Sequence, residues 1–170
     1  MSIKKVPRAT VLMVEGDPGN AELVRALASE AYQVEVVGNG RAALEKMGER
    51  QYQAVVLDLD LPGADVLEVL GTAARAESSP AVIACATNPT VNSLLVALRL
   101  GAHEFLQKPL AGAALVSALR NALERRRLLQ ELVSLRQVVD VLASLHNLEK
   151  TYSHLRSSIA ELFQAVQTAD

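Results

Sequence analysis

The chain has 170 residues, half of them apolar and 21% charged, with a formal net charge of −2. This composition excludes a disordered polymer, supplies a core for one domain with an appendage, and argues against nonspecific nucleic-acid binding. The lone cysteine, Cys85, excludes an internal disulfide and fits a reducing compartment, and no run reads as a transmembrane segment or signal peptide, so the cytoplasm is expected.

The predicted elements alternate. "TVLMV" (10–14) is short, apolar and β-branched, and the polar "EGDPGN" stops it, so it reads as a buried strand. Asp17-Pro18 supplies a capping residue followed by proline at a first helical position; Leu23, Val24, Leu27 and Ala31 continue at helical spacing. "QVEVV" (33–37) alternates as a strand does, "GNG" (38–40) is a turn, and "RAALEKM" is a short helix with Ala43, Leu44 and Met47 facing in. "YQAVVLD" (52–58) is apolar until its last residue, as a strand covered on both faces is. Val66, Leu67 and Leu70 mark the core face of the next helix, and "PAVIACA" (80–86) is a fourth buried strand. "NPTVNSLLVALRLGA" is a helix opened at Asn88-Pro89 or Thr90 and closed by Gly101; "EFLQ" (104–107) is a fifth strand. Lys108-Pro109 follows, and helix resumes near residue 111.

Strand–helix repeated five times over about 125 residues predicts an α/β fold, a parallel sheet with helices on both faces. Chemistry in such sheets sits beyond the carboxyl ends of the strands. Polar residues gather there: Glu15 and Asp17, Asp58 and Asp60, Thr87 and Asn88, and Lys108.

From residue 111 the pattern changes. Leu115, Leu119 and Leu123 lead into Leu128, Leu132, Leu135, Val139 and Leu142, spaced 4, 3, 4, 3 as in a heptad seam. A helix over 111–145 would be about 50 Å long, so its distal half is expected to project. The seam slips at His146-Asn147 and resumes through Tyr152, Leu155, Ile159, Leu162 and Val166. Either the coil stutters there, or Asn147 caps a second helix that folds back. Pairing between chains, a homodimer through residues 128–166, is the favoured reading.

Four stretches, "VLMVEGDPGN", "GNGRAALE", "AVVLDLDLPGAD" and "LRLGAHEFLQKP", together with the spacing between them, resemble a bacterial two-component response-regulator receiver domain over residues 9–127. The resemblance implies the CheY-like, flavodoxin-like (βα)5 topology, strand order 2-1-3-4-5, with residues 128–170 as a helical coupling or dimerisation segment. It implies transfer of a phosphoryl group to Asp58 from a sensor histidine kinase or phosphotransfer protein. Lys108 would stabilise the phosphoryl charge, and Lys108-Pro109 matches a cis bond that aims it. Mg²⁺ would be held by Glu15, Asp58 and the backbone carbonyl of Asp60. Phe105 matches the switch aromatic, without a tyrosine's hydroxyl.

Two departures accompany the match. Gly16 stands where the family has a second acid, which weakens or removes the Mg²⁺ site. Ala86 stands where the family has Thr or Ser; Thr87 is its neighbour and, on a regular strand, points the other way. These features favour an alternative, a pseudo-receiver acting as a phosphorylation-independent interaction or dimerisation module. An enzymatic reading of "DLD" as a dehalogenase-type phosphatase signature is disfavoured by the Leu61-Pro62 that follows, and "GDPGN" lacks the pattern of a P-loop. Cys85 reads as core filler, His103, His146 and His154 as packing or surface residues, and "ERRR" (124–127) as a solvated flank. Neither nucleic acid nor membrane is an expected partner. "NLEKTYSHLRSSIAELFQAV" resembles the entry helix of a sensory domain such as GAF, so a native chain continuing past Asp170 stays open.

Overall fold

The computed structural model describes residues 9–17, 21–30, 32–63, 65–76 and 78–167, with side chains through Glu161. Strands and helices alternate as β1 (Thr10–Val14), α1 (Ala21–Ser29), β2 (Gln33–Val37), α2 (Gly40–Glu49), β3 (Ala54–Asp58), α3 (Asp65–Arg75), β4 (Ala81–Ala86), α4 (Val91–Arg99), β5 (Glu104–Gln107) and α5 (Gly112–Gln167). The chain divides into two compact units, Met1–Arg126 and Arg127–Asp170.

In the first unit all strand pairs are parallel, in the order β2-β1-β3-β4-β5. Each crossover needs a helix, and the alternation of side chains along the strands sends odd and even positions to different layers. Val11 and Met13, Ala54 and Val56, and Ala81, Ile83 and Cys85 pack against Leu23 and Leu27 of α1 and Leu115 and Leu119 of α5. Leu12, Val14, Val55, Leu57, Val82 and Ala84 pack against Ala43 of α2, Val66, Val69 and Leu70 of α3, and Ala97 of α4. Truncating one of the fully buried leucines, such as Leu57 or Leu119, removes apolar area and leaves a cavity worth about 2–5 kcal/mol.

Local signals set the boundaries. Asn39 caps α2, accepting from the Ala42 N–H at 2.8 Å. Thr90, rather than Asn88-Pro89, caps α4, in a reciprocal arrangement with Ser93. Gly101 closes α4 at φ 105°, where a Cβ would lie 2.9 Å from the Ala74 methyl. The helix start at Asp17-Pro18 and the inward Ala31 involve residues outside those described.

Three readings need correction. Leu67 is half exposed and Val69 takes its place in the core, because the helical face of α3 is centred on Val66, Val69, Leu70 and Ala73. Arg126 is not a solvated flank: its Nε donates to the Ser79 carbonyl at 2.6 Å and its Nη2 reaches Ser78 Oγ at 3.0 Å, tying α5 to the loop before β4. Nor does the chain fold back at Asn147, since α5 runs unbroken to Gln167. A helix needs no break where polar residues interrupt a seam; only the apolar face moves.

His103 has a packing role. The Val82 N–H donates to its Nδ1 at 3.1 Å, and its own backbone N–H donates to the Val82 carbonyl at 2.7 Å. Burial, with Arg125 and Arg126 nearby, holds its pKa below the usual histidine value, consistent with an imidazole that accepts through Nδ1.

Candidate functional site

The site forms where odd–even alternation runs off the ends of three strands, the neighbours β1 and β3 and, beyond β4, β5. Val11 and Met13 lead to Glu15, Ala54 and Val56 to Asp58, and Leu106 to Lys108, all from the layer that faces α1 and α5. Register supplies the lateral match: Val14 pairs with Leu57, so Glu15 falls beside Asp58, and Asp58 pairs with Cys85. The Glu15 N–H donates to the Val37 carbonyl at 2.9 Å, and the Lys108 N–H donates to the Ala86 carbonyl at 2.8 Å, so both backbones are pinned to neighbouring strands. The Lys108-Pro109 peptide bond is cis.

Lys108 Nζ lies 2.7 Å from Asp58 Oδ2 and 3.0 Å from the Glu15 carboxylate. Both acids are buried, Asp58 at 4% and Glu15 at 7% exposure. A buried carboxylate persists as an ion only when paired and hydrogen-bonded, and here one ammonium serves two. Burial raises the Glu15 pKa above the usual carboxylate range; the Lys108 hydrogen bond opposes this and Asp58 adds to it. Burial alone would lower the Lys108 pKa, but its hydrogen bonds to Asp58 and Glu15 prevail and raise it, so the ammonium stays charged. Asp58 Oδ1 accepts from the Asp60 N–H at 2.9 Å, which orients the carboxylate at the strand end.

Thr87 and Asp60 form a second contact. Asp60 Oδ2 accepts from Thr87 Oγ1 at 2.6 Å and from the Thr87 N–H at 2.7 Å. The expectation that Thr87 points away from the acids, drawn from strand alternation, does not hold. β4 ends at Ala86, so alternation no longer governs the next residue, and Thr87 lines a cavity of about 460 Å³ together with Glu15, Asp17 and Lys108. Ala86 itself is buried and presents only its carbonyl to Lys108. Phe105 packs with the α2–α3–α4 layer, opposite in alternation to the acids. The sequence reading missed the Asp60–Thr87 bond because it joins residues 27 positions apart through loops, where no periodicity applies.

Glu15, Asp58 and Cys85 present ligand atoms within 4.8 Å of one another. Burial first, then the Asp58 charge, pushes the Cys85 pKa up to about 12, and Sγ donates to the Leu57 carbonyl at 3.4 Å. A protonated thiol is a poor ligand, so the usable donors are oxygens, the set suited to a hard divalent cation. At Gly16 a Cβ would sit 2.8 Å from Leu61 Cδ2. A side chain at position 16 would therefore require the terminal methyl of Leu61 to shift.

A protein-family model described as the response regulator receiver domain matches residues 11–120. The chain belongs to that family. Among curated receiver-family relatives, it is 36% identical over 123 residues to the transcriptional regulatory protein TcrA of Mycobacterium tuberculosis, covering 72% of this chain and 48% of that one. It is 33% identical to the DNA-binding response regulator MtrA of Mycolicibacterium smegmatis, covering 69% of this chain and 52% of that one. The chain thus spans about half the length of these relatives. Among solved structures, the signal receiver domain of a LuxO repressor protein from Vibrio parahaemolyticus superposes with a TM-score of 0.67 at 28% identity, over 74% of this chain and 97% of that one. The five-stranded 2-1-3-4-5 sheet is the receiver architecture, and membership places the chain in two-component signalling. No helix among the described residues is long and apolar enough to cross a membrane.

Replacing Lys108 with Met leaves two buried carboxylates facing each other. Lys108→Met is expected to lower unfolding free energy at pH 7 by about 2 kcal/mol, less than for a fully buried pair because Lys108 keeps some solvent contact. The sign with pH follows from linkage. The uncompensated pair binds a proton more readily folded than unfolded, so the deficit shrinks as pH falls from 7 toward 4. Denaturant titrations of both proteins across that range check it; a deficit that is absent or independent of pH contradicts the bridge.

Proposed function

We propose that this receiver accepts a phosphoryl group on Asp58 from a sensor histidine kinase or phosphotransfer protein, and relays the change through α5. The observation that carries the reading is the 2.7 Å contact between Asp58 and Lys108 at the carboxyl rim of the sheet. A carboxylate oxygen of Asp58 attacks phosphorus; the P–N bond of a phosphohistidine donor breaks as the O–P bond forms, giving an acyl phosphate on Asp58. Lys108, already charged and within reach, moves its hydrogen bonds from the carboxylate to the phosphoryl oxygens. Glu15, Asp58 and the Asp60 carbonyl would hold Mg²⁺, which neutralises phosphoryl charge when bound. The new charge bears on Thr87, whose hydroxyl leaves Asp60 to reach it, and on the layer holding Phe105. Residues 9–127 are the receiver and 128–170 a helical coupling segment in this reading, with a homodimer through residues 128–166.

The setting proposed is cytoplasmic, without a catalytic output of its own. Asp60, which a phosphatase would need as an acid/base, is engaged by Thr87. We assign no nucleic-acid contact to this chain; Arg126 of the basic run is tied to Ser78 and Ser79, and the match to MtrA, which is named for DNA binding, covers only 52% of that protein.

The second reading is a pseudo-receiver, and one observation favours it: Gly16 supplies no carboxylate, and a Cβ there would approach Leu61 Cδ2 to 2.8 Å, while Lys108 bonds the acids directly. Incubation with Mg²⁺ and acetyl phosphate separates the two. The phosphorylation reading expects the added mass of one phosphoryl group on the intact protein and none on Asp58→Asn; no added mass on either supports the pseudo-receiver. Restoring the acid while clearing its space, in Gly16→Asp with Leu61→Ala, is expected to tighten Mg²⁺ binding about tenfold, as an added carboxylate ligand does. Unchanged Mg²⁺ affinity would show that position 16 does not limit the site.

A further inference from the structure

The second unit is one helix whose apolar side chains face no other element of that unit. Leu128, Leu132, Leu135, Val139 and Leu142 form one face, and Leu145, Leu148, Tyr152, Leu155 and Ile159 another; all ten are between 50% and 72% exposed. Resting on the homodimer reading above, we propose that residues 128–159 pair in parallel and in register with the same residues of a second copy. We further place a shift of the pairing face by one residue between Leu142 and Leu145.

Three observations select this partner and this orientation. First, the spacing assigns heptad positions without freedom. Steps of 4, 3, 4, 3 from Leu128 make Leu128, Leu135 and Leu142 d positions, and steps of 3, 4, 3, 4 from Leu145 make Leu148 and Leu155 d positions. The d positions of both faces are leucine except Val141, where the second face begins; the a positions are mixed, with Val139 and Ile159 β-branched beside Leu132, Leu145 and Tyr152, so the orientation rests on the charge pairing that follows. Second, Glu131 falls at g and Arg136 at the next e. In a parallel, in-register pair these approach each other across the interface, twice by symmetry. Glu131 also pairs within its own helix to Arg127 at 3.0 Å, which leaves its second oxygen available to the partner's arginine. An antiparallel pair separates Glu131 from Arg136 of the second copy and loses both contacts.

Third, the two faces overlap. Val138 and Val141 precede Leu145 at heptad steps, so the second face begins before the first ends at Leu142. One residue corresponds to about 100° around a helix, so the contact face turns by that amount within three turns. Val139, Leu142, Leu145 and Leu148 follow at steps of three, below the 3.5-residue mean, which overwinds a left-handed supercoil locally. Staying on the first face would instead bring His146 and Glu149 into the seam.

Single cysteines introduced into the full chain locate the face. Cys85 is buried and serves as an unreactive background. Leu135→Cys and Leu148→Cys are expected to form chain-to-chain disulfides under mild oxidation at least about tenfold faster than Gln137→Cys and Glu149→Cys. Fast bridging at Glu149→Cys with none at Leu148→Cys overturns the shift, and absence of bridging at both leucine positions in a protein of dimer mass overturns parallel pairing. Sedimentation equilibrium distinguishes these from failure of the underlying reading, since a monomer mass removes the homodimer altogether and a trimer mass removes two-stranded pairing. In a second readout, Glu131→Arg and Arg136→Glu each raise the dimer dissociation constant about tenfold, and the double exchange returns it toward wild type. A double exchange as weak as the singles overturns the register.

Discussion

One ammonium group holds two buried carboxylates at the carboxyl rim of the sheet, and the remaining features of the site depend on that bridge. Lys108 reaches Asp58 at 2.7 Å and Glu15 at 3.0 Å, and its hydrogen bond opposes the burial that raises the Glu15 pKa. The bridge places the cation beside the carboxylate that the proposed transfer would use. It also couples three strands, since β1, β3 and β5 each contribute one member beyond or at their ends. In the proposed function a change of charge at Asp58 would make Lys108 redistribute its contacts, which also involve Glu15 after β1.

The same arrangement explains a tension within the pocket. Lys108 bridges the two acids that would also hold a divalent cation, and position 16, where a further carboxylate would favour the metal, is a glycine against which the Leu61 methyl rests. Asp60 does not make up the deficit with its side chain, which is committed to Thr87. The pocket thus pairs one ammonium with two buried carboxylates and has a glycine at position 16. A hard-cation site with fewer carboxylates is weaker rather than different in kind.

Much of this was legible in the chain itself, for a simple physical reason. Parallel strands buried on both faces must alternate between two layers, so Val11, Met13 and Glu15 share a side, as do Ala54, Val56 and Asp58. Counting by two carries the acids and Lys108 to one side before any coordinates are consulted. The rule stops where the strands stop. Thr87 lies one residue past β4 and obeys loop geometry, and the Leu61–Gly16 contact joins two turns with no shared period. Arg126 was misread because a charge run reveals composition but not which of its members meets a carbonyl, here that of Ser79. In α5 the heptad steps gave the faces but not the continuity of the helix. Polar residues at His146 and Asn147 interrupt a seam without interrupting backbone hydrogen bonds, so two separate helices and one continuous helix share one pattern.

The bridge itself is most directly tested by carbon-detected NMR titration of the Glu15 carboxyl in the wild-type chain and in Lys108→Met. Burial and Asp58 raise the Glu15 pKa while Lys108 restrains it, so the account predicts a midpoint above the ordinary glutamate value in wild type and a further upward move once the ammonium is gone. A Glu15 midpoint that is the same in both proteins would mean that Lys108 does not join the two acids, and the site would lose the interaction on which its chemistry rests.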